Sequence, residues 1–134
     1  MKGYTTNIET ATRTNTNFRK VLYTGKHCQL VLMSLPPNEE IGMEVHPDND
    51  QFFRFESGKG KCLIDSNEYS VSDGDCLIVP AGAKHNIINV SATEELKLYT
   101  LYSPAHHKDG VVRATKAEAE DPANAEEFDG VTTE

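Results

Sequence analysis

A chain of 134 residues is long enough for one well-filled core and too short for two. Its charged fraction of 25% is ordinary, and a formal net charge of -8 disfavours nucleic acid and anionic membrane surfaces as partners. No stretch approaches the roughly 18 apolar residues of a membrane-crossing helix.

Residues 1–17 are rich in Thr and Asn, have no hydrophobic period, and are read as an N-terminal arm. No apolar N-terminal run reads as a signal peptide, so a reduced, cytoplasmic protein is expected. From Phe18 onward short strands are predicted at Arg19–Thr24, Cys28–Leu35, Gly42–His46, Gln51–Glu56, Gly60–Asp65, Glu68–Val71, Asp75–Pro80, His85–Val90 and Leu96–Ser103. Clusters of Gly, Pro, Asn and Asp separate them, among them Pro47-Asp-Asn-Asp50, Ser57-Gly58-Lys59-Gly60, Ser72-Asp-Gly74-Asp75 and Pro80-Ala-Gly82. Short strands at this regular spacing predict an all-β sandwich or barrel over residues 18–114. Cys28–Leu35 and Leu96–Leu101 are apolar on both faces. That suits either a barrel wall in a dimer interface or a strand covered by the chain's own N-terminal arm.

Residues 115–134 read as an acidic helix and tail. Thr115-Lys-Ala-Glu118 has the form of a capping box, and Asp121-Pro122 ends the helix soon after. Seven acids lie between Thr115 and Glu134 against Lys116 alone, so the negative charge is expected on a solvated tail and not on a binding face. Cys28, Cys62 and Cys76 stand in apolar stretches without a C-x-x-C pair and are expected to be small core or sheet residues.

Four polar side chains on the strand-like segments stand out: Glu44, His46, Gln51 and His85. Glu44 and His46 are two apart and share one face of an extended strand, while the intervening turns let Gln51 and His85 fold onto that face. Imidazole, carboxylate and amide oxygen are all ligands for a divalent ion, and a His pair suits Zn, Fe, Ni or Mn better than Ca. The alternative is a polar pocket without metal, in which Gln51 hydrogen-bonds Glu44 or a water. By alternation Phe53 and Phe55 follow Gln51 inward, with Phe52, Arg54 and Glu56 outward; Ile87 and Asn89 follow His85, and Leu98, Thr100 and Tyr102 face inward on the last strand. His106 and His107 then either cap the barrel mouth as acid or base groups or lie in an exposed loop. No G-x-S-x-G, P-loop or dinucleotide-binding glycine pattern is present.

The segment Gly74-Asp-Cys-Leu-Ile-Val-Pro80-Ala-Gly82-Ala-Lys-His85-Asn-Ile-Ile-Asn89 resembles, position for position, the second motif of the cupin superfamily, G-x5-P-x-G-x2-H-x3-N. The first motif, G-x5-H-x-H-x3–4-E-x6-G, is held at its spacing but altered: Asn38 replaces the opening Gly, Glu44 the first His and Gln51 the Glu, while His46 and Gly58 match. The resemblance implies a single-domain cupin β-barrel (double-stranded β-helix, or jelly roll), a likeness to the small mannose-6-phosphate-isomerase-like cupins, and a homodimer. It implies one divalent ion per chain, Mn, Fe, Ni or Zn, held by Glu44, His46, Gln51 and His85, with Tyr102 or His106 as nearest proton donor. The implied function is isomerisation or dioxygenation of a small molecule, or non-enzymatic binding of a sugar or small acid. The two exchanged corners keep one carboxylate in the site but move it.

Overall fold

The computed structural model describes Met1–Glu134. Ten strands build two antiparallel sheets: β1 (Arg19–Thr24), β2 (Gln29–Leu35), β3 (Glu44–Val45), β4 (Asp50–Ser57), β5 (Lys59–Ile64), β6 (Asn67–Ser72), β7 (Cys76–Val79), β8 (Lys84–Asn89), β9 (Leu96–Ser103) and β10 (Val112–Arg113). One sheet has the order β10, β1, β2, β9, β4, β7 and the other β3, β8, β5, β6. The two sheets form the expected β-sandwich or barrel. All nine predicted strands are present, although Gly42–His46 shortens to β3. The unpredicted tenth, β10, is a two-residue strand on the edge of β1, too short to leave an alternation in the sequence.

Alternation along the strands fills the space between the sheets. Val31, Met33 and Leu35 of β2, Phe53 and Phe55 of β4, Ile87 of β8, and Leu96 and Leu98 of β9 are buried in one apolar cluster. Lys97 is only partly buried, while Thr100 and Tyr102 lie inside as their spacing predicts. Glu56 departs from the expectation: it is buried, because the register of β4 against β9 shifts between Phe55 and Ser57 and the extra residue breaks the alternation. Of the three cysteines only Cys62 is in the core, where burial pushes its thiol pKa up to about 12; Cys28 and Cys76 are exposed.

Residues 1–17 hold a helix where an irregular arm was expected. The Asn7 side chain caps α1 (Ile8–Thr14) by accepting from the Thr10 N–H at 2.9 Å. Seven residues are too few for an apolar period to emerge, and a helix this short is held by packing. It lies on the outer face of β2, β4 and β9, with Thr12 fully buried, and so covers part of the second apolar face of β2 and β9. No helix of the protein is long and apolar enough to cross a membrane.

The C-terminal part also departs from a solvated tail. Helix α2 (Lys116–Glu120) starts as its capping box predicts, with the Thr115 side chain accepting from the Glu118 N–H at 3.1 Å. Farther on, residues 126–128 lie along the last loop of the barrel: the Lys108 N–H donates to the Glu126 carbonyl at 2.8 Å and the Phe128 N–H to the His106 carbonyl at 3.0 Å. Glu126 is buried between the guanidinium groups of Arg19 and Arg113, 3.0 Å from Arg113 Nε. The acid count of this segment carries no sign that one of its acids meets two arginines of the barrel.

The turn before β5 is tightly constrained. Gly58 has φ +92°, and a Cβ there would stand 2.4 Å from the Glu95 carbonyl oxygen. Gly58→Ala therefore combines a disfavoured backbone with a backbone clash, and we expect it to destabilise the protein by about 3 kcal/mol in urea unfolding.

Candidate metal centre

Two strand pairings bring the site together. β3 pairs with β8 so that Glu44 stands opposite His85, and β4 pairs with β9 so that Gln51 stands opposite Tyr102. His46 follows β3 directly, with its ring centroid 5.1 Å from that of His85. One ligand atom from each of Glu44, His46 and His85 falls within 4.8 Å of the others. His46, Gln51 and His85 are buried and Glu44 is half-buried.

Hydrogen bonds decide which atoms these residues offer. His85 Nδ1 lies 3.0 Å from the Ala83 carbonyl oxygen, which can only accept. Nδ1 is therefore the N–H, and in the neutral ring Nε2 is a bare lone pair. At Gln51 the neighbour is Thr100, whose hydroxyl donates its hydrogen to the Phe52 carbonyl at 2.8 Å. Thr100 Oγ1 can then only accept, so the Gln51 atom 3.0 Å from it is the amide nitrogen, and Oε1 points the other way. His85 Nε2 and Gln51 Oε1 are both buried and have no hydrogen-bond partner. Leaving a buried acceptor unmet costs about 1–3 kcal/mol, so each of the two atoms is open to a cation or donor that would meet it.

Glu44 completes the electrostatics. Burial acts to raise its pKa, but the hydrogen bond with His46, Oε2 to Nε2 at 3.1 Å, and the fields of His46, Arg19 and His85 outweigh burial, leaving it below its usual value. Glu44, His46 and His85 thus gather a carboxylate and two imidazoles, a donor set that fits a divalent ion of the Mn, Fe, Ni or Zn kind.

The groups around these four follow the predicted inner faces. Phe53 meets His85 edge-on at 6.5 Å and stacks with Phe55 at 6.5 Å. Tyr102 meets His46 edge-on at 5.8 Å, and burial raises its pKa despite the nearby Arg19. The His106 ring lies 4.2 Å from His46 and 5.3 Å from Tyr102. Burial, then the field of His46, lowers its pKa to about 4, so it is neutral at pH 7. His107 is buried, with Nε2 3.2 Å from the Tyr102 hydroxyl and Nδ1 3.3 Å from Glu126 Oε1. Of the two placements open for the His pair, the barrel mouth is the one adopted. Asn89 faces inward but serves the fold: its Nδ2 donates to the carbonyls of Leu35, Pro36 and Glu94.

Two buried amides absent from the sequence reading hold the His106–His107 segment. Gln29 Oε1 accepts the backbone N–H groups of His106 at 3.2 Å and His107 at 3.0 Å, while its Nε2 donates to the His107 carbonyl at 2.7 Å. Asn49 Nδ2 donates to the carbonyls of Pro104 at 2.7 Å and Ala105 at 3.3 Å. The sign available in the sequence was Gln29 itself, a polar residue in phase with Val31, Met33 and Leu35. Its partners, being backbone groups, have no signature.

Residues 31–102 match the family model described as "Cupin domain". The chain is 44% identical over 124 residues to the "Uncharacterized protein YrkC" of Bacillus subtilis, covering 88% of this chain and 66% of that protein. It therefore spans about two thirds of that relative's length. It superposes on the crystal structure of BH2720 from Bacillus halodurans with a TM-score of 0.85 and 40% identity, over 88% of this chain and 93% of that one. A more distant similarity, 28% identity over 104 residues, reaches the quercetin 2,3-dioxygenase of Bacillus subtilis, covering 78% of this chain and 31% of that enzyme. The chain belongs to the cupin superfamily.

Gln29→Leu keeps the volume and removes the partners of two N–H groups and one carbonyl in the His106–His107 segment. We expect a loss of about 3 kcal/mol, read as a lower urea midpoint with an unchanged slope.

Proposed function

We propose that this cupin binds one divalent ion through Glu44, His46, Gln51 and His85 and acts there on a small molecule held inside the barrel. The observation that carries the reading is the bare, buried Nε2 of His85 within the Glu44–His46–His85 cluster, with Gln51 Oε1 a further buried acceptor that has no partner. When bound, the ion supplies Lewis acidity toward a substrate oxygen. Tyr102 and His106 stand against His46 and form the wall that such a substrate meets, and Phe53 supplies an apolar side. Between isomerisation and dioxygenation, the similarity to quercetin 2,3-dioxygenase favours the second.

One contact favours a second reading, a metal-free binder of a sugar or small acid. His46 and Glu44 hydrogen-bond to each other at 3.1 Å and need no ion to satisfy them. That reading leaves His85 Nε2 and Gln51 Oε1 unmet, and we therefore place it second.

Elemental analysis of protein purified without a His tag tests the proposal. We expect close to one ion of Mn, Fe, Ni or Zn per chain and a higher melting temperature when that ion is added back to the stripped protein. His85→Ala should abolish binding, and Gln51→Ala should weaken it at least tenfold, on the order of what one ligand interaction contributes. Less than about 0.1 ion per chain, with no shift in melting temperature on adding any of the four, would leave only the metal-free reading.

A further inference from the structure

The larger sheet is apolar on its outer face over more than α1 covers. Register places Leu30 of β2 opposite Leu101 of β9, Leu101 opposite Phe52 of β4, and Phe52 opposite Ile78 of β7. Directly opposed residues share a face, so these four form one stripe straight across four strands, about 14 Å from end to end at the ordinary strand spacing. Leu30, Phe52 and Leu101 are half-buried, and Ile78 is 64% exposed. Helix α1 ends farther along the strands, where the Asn15 carbonyl accepts from the Lys97 ammonium. At the β1 end Tyr4 of the arm stacks on Tyr23, with ring centroids 5.9 Å apart, and closes the stripe there. At the other end β7 is an edge strand. It runs Cys76–Val79 without a charge, a proline or a bulge, the devices that keep an edge from taking a partner.

The charges beside the stripe decide what fits it. Outward residues on β4 run Asp50, Phe52, Arg54, so an exposed acid flanks the stripe on one side and a half-exposed guanidinium on the other. Asp50 Oδ1 accepts from the Ala81 N–H at 2.9 Å, and Arg54 Nε meets the buried Glu56 at 3.1 Å. Two copies can lay stripe on stripe about a twofold axis in two ways, both of them aligned packings of two sheets about 10 Å apart. An axis along the strands sets Asp50 against the partner's Asp50 and Arg54 against the partner's Arg54. An axis along the stripe sets Asp50 against the partner's Arg54 and Arg54 against the partner's Asp50, and it brings Phe52 and Ile78 onto their own copies. Only the second pairs opposite charges. We propose that the Leu30–Leu101–Phe52–Ile78 stripe is the face on which a second copy of this chain docks, about a twofold axis running along the stripe. The N-terminal segment and the second copy thus divide the outer face of the sheet between them. The interface lies on the back of the β4–β9 pair whose front carries Gln51, Thr100 and Tyr102, and it does not rest on the metal reading.

Ile78 tests both the face and the axis, because it is exposed and its replacement spares the fold, while the axis makes it meet itself. In sedimentation equilibrium at tens of micromolar the wild type should be a dimer. Ile78→Lys and Ile78→Glu should each be monomeric with the native circular-dichroism spectrum, and an equimolar mixture of the two should dimerise again. Asp50→Asn keeps an acceptor for the Ala81 N–H and should raise the dimer dissociation constant about fivefold, because two exposed ion pairs are lost. That difference should vanish at molar salt. A monomeric wild type leaves the stripe to some other partner and overturns the proposal. So does a dimer that survives Ile78→Lys, since it uses another face. A mixture that stays monomeric overturns it too, since Ile78 then does not face its own copy, and an Asp50→Asn dimer as tight as the wild type removes the ground for the axis.

Discussion

The interior of this barrel depends on strand register. Glu44 stands opposite His85 and Gln51 opposite Tyr102 because β3 meets β8, and β4 meets β9, at one particular offset. Side chains alternate faces with a period of two, so a slip by one residue would carry the whole polar set to the outside and bring Phe52 and Arg54 within. Such a slip is opposed by the apolar residues in phase with the polar ones. Phe53 and Phe55 share the face of Gln51, Ile87 that of His85, and Leu98 that of Tyr102, and all are buried in one cluster. The hydrophobic driving force that sets the register is thus also what gathers the polar side chains inside the barrel. It outweighs the cost of burying polar atoms because most of those atoms find partners within the barrel.

Those partners come largely from outside the polar set. Gln29 and Asn49 hold the loop that carries His106 and His107 by its backbone. Glu126 then ties the same loop to Arg19 of β1 and Arg113 of β10. A buried carboxylate between two guanidinium groups is only weakly stabilising as a set, but it tolerates no missing member. Its effect is geometric: it fixes where the loop lies and which nitrogen of His107 faces it. Fold and site here are continuous, since the contacts that close the last loop on the barrel also arrange the residues around Tyr102.

This division explains what could be read from the sequence. The strands were visible because alternation and turn residues are local, and His85 was visible because Gly74, Pro80 and Gly82 mark the turns that aim it. Glu44 and His46 were legible from their spacing, and the burial of Gln51 on the inner face from strand alternation. Helix α1 was invisible because seven residues held mainly by tertiary packing carry no period. The burial of Glu56 escaped notice because a bulge, unlike a turn, leaves no composition behind. Glu126 was hidden for a different reason: it is one acid among seven, and its partners Arg19 and Arg113 are fixed only by the three-dimensional path of the chain.

Two corners of the first cupin motif are exchanged in this chain, and one exchange changes what the surrounding side chains must do. Where the first cupin motif has a carboxylate, this chain has the amide of Gln51. A carboxylate presents an oxygen to a cation whichever way it is turned, and so needs no instruction about its orientation. An amide presents an oxygen one way and two hydrogens the other, and the wrong way would oppose a cation with a donor. The carboxylate at Glu44 keeps the site's formal charge, but it cannot orient Gln51. Orientation has to come from the neighbour of the amide nitrogen, and this is Thr100, committed by its bond to the Phe52 carbonyl. Replacing a symmetric group by an asymmetric one thus transfers a requirement from the residue to its surroundings, and Thr100, held by the Phe52 carbonyl, meets it.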